Sequence, residues 1–152
     1  MQFTPKRVLL VEDNPSDLEL ALLAFDRGGF GNPVDVVRDG AEALEYLFCR
    51  GRYAGRSPLD DPRVVLLDVK LPLVDGPEVL RQIKADPRTR HLPVVMLTTS
   101  AEDRDLRRCY SYGVNSYIVK PVDMEHFFRA MQDIGTYWLE LNQPDLMTGA
   151  AS

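Results

Sequence analysis

Short apolar runs alternate with amphipathic stretches along almost the whole chain. Four runs share a further property: each ends on a residue with chemistry. Val8-Leu9-Leu10-Val11 ends on Glu12-Asp13, and Val64-Val65-Leu66-Leu67 ends on Asp68. Val94-Val95-Met96-Leu97 ends on Thr98, and Tyr117-Ile118-Val119 ends on Lys120-Pro121. Runs this short that are apolar throughout fit strands buried on both faces of a parallel sheet. With the strand at Val34–Val37 they make five strands, the first from about Arg7 to Val11.

The stretches between them read as helices. Asn14-Pro15 pairs an N-cap residue with proline at the first helical position. Leu18, Ala21, Leu22 and Phe25 then recur at spacings of three and four, making one apolar face. Gly28-Gly29 ends this helix. Asp39 caps a second helix carrying Ala41, Leu44, Leu47 and Phe48. Asp75-Gly76-Pro77 opens a third, with Val79, Leu80 and Ile83 inside. Ser100 caps a fourth, which runs through Leu106 and Cys109 to Tyr112 and ends at Gly113.

The last helix starts near Asp123 and places Phe127, Met131, Ile134, Trp138 and Leu141 on a nearly heptad stripe. Phe128, Tyr137 and Leu139 fall off this stripe, so more apolar surface is expected than one face buries. The connection from Arg50 to Arg63 is long for a compact domain and reads as an exposed loop or an interaction element. The segment after Pro144 is expected to fray. Strands alternating with helices define an α/β fold.

Composition narrows the function classes. The chain has 152 residues, 45% hydrophobic and 27% charged, the profile of one soluble globular domain. Its 18 basic and 23 acidic residues leave a net charge of −5, which disfavours nucleic acid as a partner. No run approaches the roughly 20 apolar residues that span a bilayer, and no signal-peptide core precedes Glu12, so the expected location is the cytoplasm. Cys49 and Cys109 lack the spacing of a zinc or redox motif and read as reduced, half-buried thiols. His91 and His126 are isolated and receive no role.

The strand ends carry the chemistry. In an open parallel sheet, ligands bind beyond the carboxyl ends of the strands. Glu12, Asp13 and Asp68 gathered there repel one another, by about 4 kcal/mol for two charges ~4 Å apart at an effective dielectric near 20. A cation or a proton must relieve that. Clustered carboxylates without His or Cys suit Mg²⁺ rather than zinc or copper. A metal beside Asp68 lets its carboxylate approach a phosphoryl group as a nucleophile. Lys120 supplies a positive charge and Thr98 a hydroxyl for the phosphoryl oxygens. The bond from Lys120 to Pro121 is a place where a cis peptide would turn the ammonium into the site.

Glu12-Asp13-Asn14, Leu67-Asp68-Val69-Lys70-Leu71-Pro72 with Asp75-Gly76, Leu97-Thr98-Thr99-Ser100 and Tyr117-Ile118-Val119-Lys120-Pro121 together resemble the receiver domains of bacterial two-component response regulators. The resemblance runs from about Arg7 to Asn142, with residues 143–152 as a tail on a single domain. It implies a flavodoxin-like, doubly wound five-stranded parallel sheet in order 2-1-3-4-5 with helices on both faces. It also implies that Asp68 accepts the phosphoryl group. Asp13, Asp68 and the backbone carbonyl of Lys70 would hold Mg²⁺, helped by Glu12 through water. Thr98 and Lys120 would contact the phosphoryl group, Lys120-Pro121 would be cis, and Thr98 and Tyr117 would act as the switch pair.

The long Arg50–Arg63 connection and the extended last helix are similar to single-domain regulators that serve phytochrome-type histidine kinases. That similarity implies a sensor kinase as partner and a homodimer through helix 4, strand 5 and helix 5. It implies no DNA-binding output domain and no membrane contact. Lys70 departs from the shorter polar residue common at its position, which bears on phosphate lifetime. The leading expectation is a phosphorylation switch, not a turnover enzyme. A relay that passes the group to a second His protein fits as well. A Mg²⁺-dependent phosphohydrolase is the enzyme alternative, although such families usually place a second Asp where Lys70 stands. A flavin binder would want a phosphate loop where Glu12-Asp13-Asn14 repel one.

Overall fold

The computed structural model describes residues 6–29, 31–98, 103–119 and 124–142. Five strands form one parallel sheet: β1 (Val8–Val11), β2 (Val34–Val37), β3 (Val64–Leu67), β4 (Val94–Thr98) and β5 (Ser116–Val119). Their order is β2-β1-β3-β4-β5, the doubly wound arrangement expected from the resemblance. Helices α1 (Pro15–Arg27), α2 (Gly40–Leu47), α3 (Gly76–Ala85) and α4 (Asp103–Ser111) make the crossovers, and α5 (Met124–Gly135) follows β5.

Alternation along the strands divides the core in two. Leu9, Val11, Val65, Leu67, Val94 and Met96 pack against α2, α3 and Cys109 of α4. Val8, Leu10, Val64, Leu66, Val95 and Leu97 face the other way, onto α1 and α5. Every residue of β1 and β3 is buried, because both faces of the central strands are covered.

Local sequence accounts for the helix starts. The Asn14 side chain accepts from the Asp17 amide, with Pro15 in the first turn. Asp39 Oδ1 accepts from the Glu42 amide at 2.6 Å, and Asp75 Oδ1 from the Glu78 amide at 2.9 Å. The α2 and α3 starts thus repeat one pattern, Asp-Gly-x-Glu. Gly28 closes α1 in a right-handed conformation and passes the left-handed one, φ +70°, to Gly29; Gly113 after α4 has φ +91°. The expected cap at Ser100, the peptide at Lys120-Pro121 and the start at Asp123 lie outside the described residues. Among the two thiols, Cys109 is fully buried and Cys49 partly so.

The Arg50–Arg63 connection is fastened to the domain. It contains two 3-10 turns, Gly51–Tyr53 and Pro58–Asp60. Arg56 joins them to α2: its Nε donates to the Tyr46 carbonyl at 2.7 Å, and its guanidinium lies 4.3 Å from the Tyr46 ring centre. Its partner Asp61 sits 2.8 Å away, with both side chains nearly buried. Desolvation there pushes the Asp61 carboxyl above its usual range, against the pull of Arg56.

The C-terminal stripe departs from expectation. α5 changes into a π-helical run over Thr136–Leu141. Each π turn takes more residues than an α turn, so the inward face advances by about one position. Phe127, Met131 and Ile134 are buried as predicted, but the next buried apolar side chain is Leu139, at 1% exposure, while Leu141 is 70% exposed. Leu139, which the heptad reading puts off the stripe, is core; Leu141, which it puts on the stripe, is surface. Lys6 Nζ donates to the Leu139 carbonyl at 2.6 Å, which gives that helix end a partner from the start of the chain. Phe128 is also partly buried against the α1/α5 core, with Arg27 4.9 Å over its ring.

Candidate functional site

The acidic residues stand where the sheet ladder runs out. The Glu12 amide still bonds to the Val37 carbonyl at 3.1 Å, and the Asp68 amide to the Val11 carbonyl at 3.2 Å. Register pairs Val11 with Leu67, so Glu12 and Asp68 follow side by side at the carboxyl edge. Glu12, Asp13 and Asp68 each offer a carboxylate oxygen, and these three atoms lie within 4.8 Å of one another. Glu12 is 3% exposed, Asp68 is half-buried and Asp13 faces solvent. Glu12 Oε1 also accepts from the Asn14 amide at 3.2 Å, which ties the buried acid to the start of α1.

Three carboxylates this close, one of them buried, make an oxygen-donor site that concentrates negative charge. The donor set is hard and lacks nitrogen and sulfur, so it fits a divalent cation of the magnesium type. An open pocket of about 810 Å³ lies beside it, lined by Asp13, Lys70, Asp75, Arg104, Asp105 and Arg108 among others. Lys70 is exposed on its rim.

The other predicted residues are placed as far as the described chain reaches. Thr98 ends β4 opposite Val119 of β5, one row beyond Leu97. Tyr117 pairs with Met96 and is half-buried at the margin of the α2–α4 core. The Thr98 side chain and Lys120 lie outside the described residues.

Sequence reasoning quoted Gly76 in a motif without giving it a packing role, and passed over Gly40. Gly76, the first residue of α3, packs on the end of β3: a β-carbon there would sit 2.0 Å from the Asp68 carbonyl oxygen. Gly40, the first residue of α2, packs on the same loop further along, with a β-carbon position 1.8 Å from the Val74 oxygen. The repeated Asp-Gly-x-Glu pattern was the available signal. Arg108 was also missed; it reaches Asp75 from α4 at 3.3 Å.

Comparison with known proteins agrees with the geometry. The response regulator receiver domain family matches residues 8–132. The chain belongs to that family. It is 50% identical over 139 residues to a probable methanogenesis regulatory protein, FilR2, of Methanothrix harundinacea, covering 91% of this chain and 87% of that one. Among solved structures, the bacteriophytochrome response regulator AtBRR is 53% identical, with TM-score 0.74 and coverage of 93% of this chain and all of the other (100%). The phosphorylated cyanobacterial phytochrome response regulator RcpA superposes with TM-score 0.86 at 38% identity, covering 93% and 99%. Within the receiver family, then, this chain stands close to the phytochrome response regulators.

Proposed function

We propose that this protein is a phosphorylation switch in which Asp68 takes a phosphoryl group from a phosphohistidine of a sensor kinase, in a Mg²⁺-dependent reaction. The observation that carries the reading is the meeting of Glu12, Asp13 and Asp68 within 4.8 Å at the carboxyl edge of the sheet. A Asp68 oxygen attacks phosphorus in line as the bond to the imidazole nitrogen breaks, and the carboxylate becomes an acyl phosphate. Asp13, Asp68 and the main-chain carbonyl of Lys70 would hold the Mg²⁺, helped by Glu12 through water. When bound, the ion would supply charge neutralisation at the phosphoryl oxygens. Lys120 and the Thr98 hydroxyl complete their coordination.

The signal leaves through the α4-β5-α5 surface, with Thr98 and Tyr117 as the switch. A phytochrome-type histidine kinase is the partner that the relatives favour, and the cytoplasm is the compartment such a kinase requires. No described helix is long and apolar enough to cross a membrane. A homodimer through α4-β5-α5 is supported by exposed Tyr110, Val119 and Tyr137 on those elements and the segment that extends them. Leu139 no longer supports it, since that side chain is core. Phosphoryl transfer is stoichiometric here, so the protein is a switch and not a turnover enzyme.

The test is incubation with Mg²⁺ and a small phosphodonor, followed by mass measurement. Wild type gains one phosphoryl group, Asp68→Asn gains none, and EDTA abolishes the gain. Rapid multiple-turnover hydrolysis of the donor would instead favour a phosphohydrolase.

A further inference from the structure

The loop from Asp68 to α3 makes a turn that its own sequence disfavours. The Val74 amide donates to the Pro72 carbonyl at 2.8 Å, closing a three-residue γ-turn with Leu73 at its centre. Leu73 has φ +69°, the left-handed region that a branched, non-glycine residue rarely enters. Its side chain is 81% exposed, so no packing of that side chain compensates. The turn persists because its surroundings over-determine it.

Two helix starts do this. At one end the Gly76 amide donates to the Val69 carbonyl at 2.8 Å, and its bare α-carbon rests on the Asp68 carbonyl. At the other, the Gly40 amide donates to the Pro72 carbonyl at 3.3 Å. A β-carbon on residue 40 would lie 1.8 Å from the Val74 oxygen and 2.8 Å from the Val74 β-carbon. The Pro72 carbonyl therefore receives two amides, one from its own turn and one from α2. Both ends of the loop are gripped by backbone, and both grips need glycine because only a bare α-carbon allows so close an approach.

Lys70 lies between the grips. We infer that Gly40, on a helix that brings no acid to the site, is a positioning residue: with the Leu73 turn, it holds the main-chain carbonyl of Lys70 at the Mg²⁺ position. The inference rests on the functional reading above. Mg²⁺ demands near-ideal octahedral geometry at about 2.0–2.1 Å, so a loop released by even a fraction of an ångström loses this ligand.

The experiment compares the full-length wild type with Gly40→Ala, Leu73→Val and Leu73→Gly. Mg²⁺ affinity is measured by titration calorimetry, labelling by a small phosphodonor is followed against Mg²⁺ concentration, and thermal melts are run without Mg²⁺. Gly40→Ala weakens Mg²⁺ about ten-fold or more, in the range seen when the support of a metal ligand is removed. The labelling curve moves to higher Mg²⁺ by the same factor, with saturating labelling retained. Leu73→Val, on an exposed position where folding is safe, makes the positive φ less favourable and also weakens Mg²⁺. Leu73→Gly removes the strain and binds as tightly as wild type or tighter.

If Gly40→Ala does not fold, the two Leu73 variants decide. Wild-type Mg²⁺ affinity in folded Gly40→Ala or Leu73→Val, with only a lower melting temperature, or weakened Mg²⁺ binding in Leu73→Gly, would overturn the inference and leave the functional reading standing. A wild type that neither binds Mg²⁺ nor takes up a phosphoryl group would overturn both.

Discussion

Asp75 holds two elements at once: one carboxylate oxygen accepts the Glu78 amide at the start of α3, and the other pairs with Arg108 of α4 at 3.3 Å. The exit of the loop after Asp68 is thereby linked to α4, a helix of the proposed switch surface. The two bonds differ in weight. An N-cap carboxylate satisfies an amide that has no helical partner, whereas the ion pair is open to water on both sides.

Asp75→Ala should therefore lower stability by about 1 kcal/mol, and Asp75→Asn, which keeps the cap, by much less. Arg108→Ala should lower it by only a few tenths, about 0.2–0.5 kcal/mol. Urea titrations of the three variants give the ranking. A larger loss in Arg108→Ala than in Asp75→Ala would show that the link between helices outweighs the cap.

The acidic cluster makes a prediction of opposite sign with and without metal. Asp13→Asn removes one of three mutually repelling charges, so the metal-free protein should melt higher than wild type. Mg²⁺ at about a hundred times its dissociation constant should add about 2.7 kcal/mol to wild type. It should add less than half of that to the variant at the same concentration. Melting curves across a Mg²⁺ series read both effects.

Lys84 joins three parts of the chain. Its ammonium donates to the carbonyls of Arg90 at 3.1 Å and Leu92 at 2.7 Å, and to Asn115 Oδ1 at 3.0 Å. Asn115 Oδ1 in turn accepts the Val94 amide at 2.8 Å, at the start of β4. Lys84→Met leaves these acceptors short of a donor and should reduce stability by about 1–3 kcal/mol.

Burial holds the Lys84 amine down at about 8, against an ordinary 10.5. Between those values the unfolded chain carries a proton that the folded one lacks, so this residue's contribution to stability rises with pH across that window. The gap between wild type and Lys84→Met should thus widen from neutral pH to about pH 10. A constant gap across that range would mean the amine keeps its ordinary affinity for the proton.

The π-helical ending of α5 sets apart two leucines two positions apart in sequence. Leu139→Ala should cost about 2–5 kcal/mol, the range for a buried leucine, and Leu141→Ala close to nothing. An uninterrupted α-helix would reverse that order, so thermal denaturation of the two variants reads the phase of the helix directly.

Much of this protein is legible residue by residue. The central strands follow from apolar runs short enough to be buried on both faces, while the edge strands β2 and β5 are only half-buried; the caps at Asn14, Asp39 and Asp75 follow from side chains that reach amides three residues on. The acids at 12, 13 and 68 are legible as a site because the ladder places strand ends along one edge. These are local rules or one-dimensional periods, and they act whatever the rest of the chain does.

Tertiary structure alone decided three other matters. It made Leu139 core and Leu141 surface, because a π turn shifts the helix phase and no period in the sequence marks it. It bound Arg50–Arg63 to α2 through Arg56, because that ring and those carbonyls come together only after folding. And it brought Gly40 onto Val74, where the absence of a β-carbon matters only once α2 lies against the loop. Residues distant along the chain are brought into such contacts by packing, and a close approach between two backbones leaves no trace in hydrophobic pattern.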